Sequence, residues 1–427
     1  MNPNPELVAQ NKQFEKQVIE LAAGVYGAIG FAASNVYMLV GDDGLVVIDT
    51  TETTKAAENI LGEFRKITDK PVKTIIYTHS HRDHISGATV FAEGASPEVI
   101  ASDNFESDLV DVDTRHPHAG QALMARTKRQ FGMSLSFPDE RVSVGVGPGD
   151  RPMQGMGAGF LEPTLSITEA RTQLNRCGMA LELVKAPGET PDHIVVWFAQ
   201  HRLLFSGDNF YSSFPNLYAI RGTAYRDFNA WADTLELLLG FDADTLAPGH
   251  TMPVVGAMKV KEVLTDYRDA ISHVVAETVA GMNKQLGPDE LAHTVRLPSE
   301  LAQKPYLKEF YGKVSWSVRA YFAGTLGWFD GNPTNLARMS PQQSALRMMT
   351  LAGGEDKLLD AAKQSFADQD YQWVLELSDH LIAAGKQVAE AKRLKVLSLR
   401  SLADQEINAA GRNYYLLSAY EIEQETS

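Results

Sequence analysis

The sequence predicts an α/β layer fold over residues 1–256 and an all-α region over residues 257–427. Three observations predict it. Apolar runs and a helix-spaced run alternate in strand–helix–strand order between residues 36 and 77, which is a βαβ-type unit. Several later apolar runs stop at a glycine beside a polar residue, as strands do at a sheet edge. After about residue 256 the apolar spacing changes to i, i+3, i+4.

The elements follow in order. Residues 1–20 are polar and read as a helix or loop leading in; from Val25 the texture becomes strand-like. Asn35–Val40 is an apolar run that ends at Gly41-Asp42-Asp43-Gly44, a turn signal, and Leu45–Asp49 is its hairpin partner. Thr54–Ile67 has helical spacing through Ala57, Ile60, Leu61, Phe64 and Ile67. Val72–Tyr77 is a buried strand ending at Thr78-His79, and residues 99–101 form a short strand. Residues 104–160 lack a clear period. Gly145, Gly147, Gly149, Gly155, Gly157 and Gly159 crowd Pro148 and Pro152 there, which predicts a long functional loop. Strands return at 181–184, 194–198, 203–206 and 245–247, with a helix around 235–239. Val260–Met282 is one long amphipathic helix, and residues 355–421 hold four more helical segments broken near Asp368, Gly385 and Gln405. Their stripe resembles tetratricopeptide-like helix pairs, but no clean repeat is found, so a packing or dimerisation bundle is expected.

Lys plus Arg is 39 and Asp plus Glu is 54, a net charge of −15. That balance argues against nucleic acid or an anionic membrane as partner. Hydrophobic residues are 44% of the chain, ample for a core. The single cysteine, Cys177, excludes an intramolecular disulfide framework and a cysteine-rich zinc site. No apolar run reaches the roughly 18 residues a membrane span needs. The N-terminus lacks a basic segment followed by an apolar one, so a cytoplasmic chain is expected, or a periplasmic or secreted one if it is a processed form.

The chemistry concentrates in Thr78-His79-Ser80-His81-Arg82-Asp83-His84, directly after a buried strand. Three imidazoles and a carboxylate within six residues cannot serve an apolar core, and they suit Zn²⁺, Mn²⁺ or iron better than Ca²⁺. More ligand-capable side chains sit beside glycines at strand ends: Glu189 in Pro187-Gly188-Glu189-Thr190, Asp208 in Gly207-Asp208-Asn209, and His250 in Pro248-Gly249-His250. Each alone is weak; in this order after HxHxDH they form a pattern.

That pattern resembles the metallo-β-lactamase superfamily, which carries HxHxDH, a ligand on a PGHT-type turn, an acidic residue after a glycine, and a last histidine. The resemblance implies an αββα sandwich with two metal ions, expected to be Zn²⁺, at one sheet edge. Here the turn reads PGET, and Glu189 in place of histidine points to the alkyl sulfatase branch. Arg221–Asp227 is similar to that branch's RGxxxRD segment, His250–Gly256 to its HHWPVWG segment, Gly327–Pro333 to its GWFDGNP signature and Asn413–Leu416 to its NYYL ending. Two departures stand out. Long members use glutamate where this chain has Asp208, and they continue into a sterol-carrier-like domain that is not expected here.

Carried over position by position, the resemblance implies that His79, His81 and Glu189 hold one metal and Asp83, His84 and His250 the other, with Asp208 between. Asp83, Arg221 and Arg226 are the expected catalytic residues. A sulfate ester needs fixed cationic donors, which Arg221 and Arg226 supply, with Asn216 and Tyr218 as further substrate contacts. Surface salt bridging is the rival reading for both arginines, with Arg226 beside Asp227 the plainer case. His193, Tyr211 and Tyr225 are candidate proton donors, with a structural role the stronger reading for His193. His116 and His118 read as a surface pair. Phe210, Tyr211, Phe214, Leu217 and Tyr218, with Met153, Met156, Phe160 and Leu161, either line an alkyl channel or belong to the core. The expected function is hydrolysis of a small alkyl sulfate by a homodimer whose residues 257–427 form the dimerisation region. The alternatives are another hydrolase on the same scaffold (phosphodiesterase, lactonase or β-lactamase-like) and a non-catalytic metal-stabilised scaffold.

Overall fold

The computed structural model describes residues 2–107 and 119–426. A seven-stranded sheet runs in chain order through β1 (Gln17–Ala22), β2 (Val25–Ile29), β3 (Val36–Val40), β4 (Leu45–Ile48), β5 (Val72–Ile76), β6 (Glu98–Ser102) and β7 (Leu165–Ile167). β1 to β4 form an antiparallel meander and β4 to β7 are parallel. A six-stranded sheet contains β8 (Arg171–Arg176), β9 (Met179–Lys185), β10 (Ile194–Phe198), β11 (Leu203–Gly207), β12 (Thr245–Pro248) and β13 (Val254–Val255). Its β11 and β12 are parallel, and the other pairs are antiparallel.

The two-residue period of β3 shows how the layers form. Tyr37 and Leu39 point between the sheets, where they meet Leu183, Val196 and Phe205. Val36 and Met38 point the other way, onto Ala57, Ile60, Phe64 and Phe91 of the covering helices. The second sheet turns Val195, Leu204 and Leu246 outward onto Trp231, Leu235, Leu238 and Tyr267. The layers are therefore helix, sheet, sheet, helix. The core around Trp231 continues past residue 256 through Ile271, Val274, Leu291, Val318 and Phe322. A separate core holds Leu358, Val374, Leu381 and Leu394.

The four late helices are Glu355–Ala367, Tyr371–Ala383, Val388–Gln405 and Ala409–Thr426, and the long helix is Ala257–Asn283. The lead-in divides into a helix, Pro5–Asn11, and strand β1. The stretch read as irregular contains a helix, Gly120–Phe131, whose only buried residue is Gln130. Without a buried apolar stripe it leaves no periodic signal. The glycine-rich stretch after it is a loop, tied down where Thr54 N–H donates to Gly155 O at 3.2 Å and Gly159 N–H to Ser86 O at 3.0 Å. His116 and His118 lie outside the described residues. Among the described residues no helix is long and apolar enough to cross a membrane.

Candidate metal centre

Strand ends bring the chemistry together. After β5 the chain turns through Thr78 to His79 and His81, and a single helical turn, Arg82–Ile85, carries Asp83 and His84. Glu189 follows β9, Asp208 follows β11 and His250 follows β12. Ligand atoms within 4.8 Å of one another form three overlapping sets: His79, His84 and Asp208; Asp83, His84 and His250; His81, Glu189 and Asp208. Asp208 is the hub. Its carboxylate lies 3.1 Å from His250 Nε2, 3.3 Å from His84 Nε2 and 3.7 Å from His79 Nε2. His79 Nε2 and His81 Nδ1 face each other at 3.0 Å.

The donor set fits a divalent cation. Asp208 Oδ1, His84 Nε2 and Glu189 Oε2 are buried without a hydrogen-bond partner, which is costly unless something else satisfies them. Imidazole nitrogens and carboxylate oxygens at these separations are what such an ion takes. Without it, the charges settle among themselves. Burial opposes a charged His84, but Asp208, Asp49 and Asp83 outweigh it and hold its pKa well above the ordinary value. Burial also opposes charge on His250, yet Asp208 lifts it to about 9. Burial and then His84 keep His79 well below the usual range, and burial followed by Arg226 and Arg221 does the same to His81. These two imidazoles are therefore neutral, the form that binds metal.

A second layer aims the ligands. Asp49 Oδ2 meets His84 Nδ1 at 2.8 Å, and the same carboxylate takes the Thr78 N–H and hydroxyl at 2.8 and 2.9 Å. His250 Nδ1–H donates to Ala33 O at 2.6 Å. Both contacts leave Nε2 pointing inward. Asp49 adopts φ 59°, a left-handed conformation uncommon outside glycine. Sequence reasoning placed Asp49 only at a hairpin end; an acidic residue closing a buried strand was the available signal. Asp49→Ala is expected to weaken metal affinity by about 10- to 100-fold, measured by competition with a chromogenic chelator.

His193 supports the hub. Its ring stacks on His79 with centroids 4.8 Å apart, and its Nε2 accepts the Asp208 N–H at 3.0 Å. Burial lowers its pKa to about 3, so it stays neutral and accepts. The glycines beside the ligands are required by close approach. A Cβ on Gly249 would lie 2.3 Å from Asp208 Oδ1, and one on Gly207 (φ 50°) would lie 2.6 Å from His193. Asn35 ties the first hairpin to the His250 turn: its N–H donates to Gly249 O at 2.7 Å and its side chain to Pro248 O and Thr251 O.

Of the expected substrate residues, Arg226 touches the cluster directly. Arg226 is buried in an ion pair with Glu189 and also donates to the Asn216 carbonyl. Arg221 is partly exposed, and its guanidinium donates to Gly222 O at 3.0 Å. Asn216 is buried and its N–H donates to the Tyr211 hydroxyl at 2.7 Å; Tyr218 is partly buried. Tyr225 is exposed and stacks on Phe228. Phe210, Phe214 and Leu217 belong to the Trp231 core, whereas Met153 and Met156 are partly exposed in the glycine-rich loop.

Residues 29–155 and 178–250 match the metallo-beta-lactamase superfamily model, and residues 287–425 match the alkyl sulfatase dimerisation model. The chain is 38% identical to a linear primary-alkylsulfatase of Pseudomonas sp. (strain ATCC 19151) over 395 residues, 90% of this chain and 73% of that protein. It is 30% identical to an (R)-specific secondary-alkylsulfatase of Pseudomonas sp. over 95% of this chain but 62% of the relative. The solved structure of the stereoselective inverting sec-alkylsulfatase Pisa1 from Pseudomonas sp. superposes with a TM-score of 0.88 at 28% identity, covering 98% of this chain and 68% of that one. With the family models covering both its layered part and its helical region, and a 38% identical relative covered over most of its length, the chain belongs to the alkylsulfatase family of the metallo-β-lactamase superfamily.

Proposed function

We propose that this chain hydrolyses alkyl sulfate esters to an alcohol and inorganic sulfate with two divalent cations, Zn²⁺ first among them. The observation that carries the reading is one edge cluster in which Glu189 joins the histidines and two arginines stand beside it. His79, His81 and Glu189 would hold one ion, Asp83, His84 and His250 the other, and Asp208 would lie between them. Bound cations supply Lewis acidity toward a sulfuryl oxygen and make a water more acidic. The chain's own groups do the rest. Arg221 offers guanidinium N–H donors to the anionic oxygens of the ester. Arg226 holds Glu189 in place by charge-assisted hydrogen bonding. Asp83, with a 30% exposed side chain whose Oδ2 lies 3.4 Å from His250 Nε2, would be a ligand through that oxygen and would orient the attacking water through its other one.

The same reading makes the chain a homodimer. Leu326, Trp328, Leu336, Met339 and Leu351 are 57%, 77%, 64%, 47% and 84% exposed within one short stretch of the helical region. The Gly327–Pro333 segment thus faces outward in a single chain, and a second copy covering it accounts for so much apolar surface.

The test is sulfate release from alkyl sulfates of short and long chain, primary and secondary, with a phosphodiester and a lactone alongside. Release from the sulfates, with little turnover of the controls, is the expected result. Turnover of a control alone would replace the reading with a different hydrolase.

A further inference from the structure

We infer that Glu52, paired with Arg151 of the glycine-rich loop, is a positioning residue for one of the two metal ions: it fixes the Ala33 backbone, and that backbone aims His250. The inference rests on the two-ion reading above and adds residues that bind no ion themselves.

Residues 33–35 run between the glycine-rich loop and the ligands. Ala33 O accepts the His250 Nδ1–H, Ser34 Oγ donates to Asp83 O, and the Asn35 side chain donates to Pro248 O and Thr251 O on either side of His250. His250 and Asp83, two of the three side chains expected to hold the second ion, thus lean on this short piece of chain. It lies between the end of β2 and the start of β3, so no strand ladder fixes Ala33. One carboxylate and one close contact do so instead. Ala33 N–H donates to Glu52 Oε1 at 3.0 Å. Gly147 packs so tightly that a Cβ there would lie 2.6 Å from Ala33 Cα and 2.8 Å from Ala33 O. A shift of the loop therefore shifts the atom to which His250 is bonded.

The loop also supplies the charge that lets Glu52 be buried. Glu52 and Arg151 are 6% and 3% exposed, and Arg151 Nε lies 2.8 Å from Glu52 Oε1. A carboxylate buried without such a partner would be costly. The Arg151 guanidinium also lies over the Phe131 ring, 5.8 Å from its centroid. Glu52 closes a four-residue stretch that begins at Asp49, the residue that meets His84 Nδ1 at 2.8 Å. Thr50 N–H and its hydroxyl donate to His84 O at 2.7 and 3.1 Å, and Ser86 N–H donates to Thr51 O at 2.9 Å. Asp49 and Thr51 are both left-handed, with φ 59° and 64°, which is uncommon outside glycine and rarer still for a β-branched residue. Such backbone persists only where its surroundings hold it. The stretch therefore supports His84 at one end and, through Ala33, His250 at the other.

The test changes both partners of the pair, so that neither charge is left alone. Glu52→Met with Arg151→Met replaces the pair by apolar chains of similar size, a change that folds commonly tolerate, and leaves Ala33 N–H without its acceptor. Glu52→Gln with Arg151→Met returns an acceptor oxygen without the charge. Gly147→Ala pushes on Ala33 and alters no charge. Zn²⁺ is titrated into each chelated full-length protein against a chromogenic chelator. The parent is expected to take two ions. The methionine pair is expected to weaken one of them by about 10- to 100-fold, the same ion that His250→Ala releases, and to leave the other unchanged. The glutamine pair is expected to recover it, and Gly147→Ala to weaken that same ion. Should the methionine pair not fold, the glutamine pair and Gly147→Ala decide in the same terms. Parental affinity for both ions in the methionine pair and in Gly147→Ala, or equal weakening of both ions with no recovery in the glutamine pair, would overturn the inference and leave the two-ion reading intact. A parent that takes fewer than two ions would overturn both.

Discussion

Asp208→Ala is expected to reduce sulfate release by about a thousandfold or more and to leave the protein short of metal. Asp208 takes part in two of the three ligand sets, and its two carboxylate oxygens reach three histidines. A cation centre is worth several kcal/mol to the transition state, and each 1.36 kcal/mol is tenfold in rate, which gives about that loss. Asp208→Asn, which keeps the shape and removes the charge, is expected to act in the same direction. Steady-state release and metal analysis on one preparation check it; a variant with full metal and near-parental turnover would remove Asp208 from the centre.

The second large effect is on stability. Arg226→Met leaves the Glu189 carboxylate buried without its ion-pair partner. Removing one partner of a buried pair costs about 3–5 kcal/mol, so chelated Arg226→Met protein is expected to unfold at much lower urea than the chelated parent. The pH dependence has a definite sign. Burial already raises the Glu189 pKa against the pull of Arg226, and the variant loses that pull. A carboxyl whose pKa is higher folded than unfolded costs nothing below the unfolded value, about 4.3. The penalty grows as pH rises above it. Adding metal, which supplies a new positive partner, is expected to recover part of the loss. Equal unfolding midpoints for parent and variant across pH would show that the pair contributes little.

Legibility in the sequence followed contact range. β3 and β4 were readable because every residue in them packs on one of two apolar layers. The late helices were readable from stripes such as Val374, Leu377 and Leu381. Strand β8, Arg-Thr-Gln-Leu-Asn-Arg, is a half-exposed edge strand with no apolar run, so it left no signal. In the cluster, His79 to His84 were legible because one turn of chain holds them, and Glu189, Asp208 and His250 because each stands beside a glycine. The supports were not. Arg226 and Glu189 are 37 residues apart, and His250 and Ala33 are 217 apart. Only the folded chain brings such pairs together.

The measurement that tests the central claim most directly is sulfate release from dodecyl sulfate while chelated protein is titrated with Zn²⁺. The account predicts no release from the chelated protein, recovery on titration, and saturation near two ions per chain. Full release from chelated protein, or metal-loaded protein that leaves the ester intact, would contradict it.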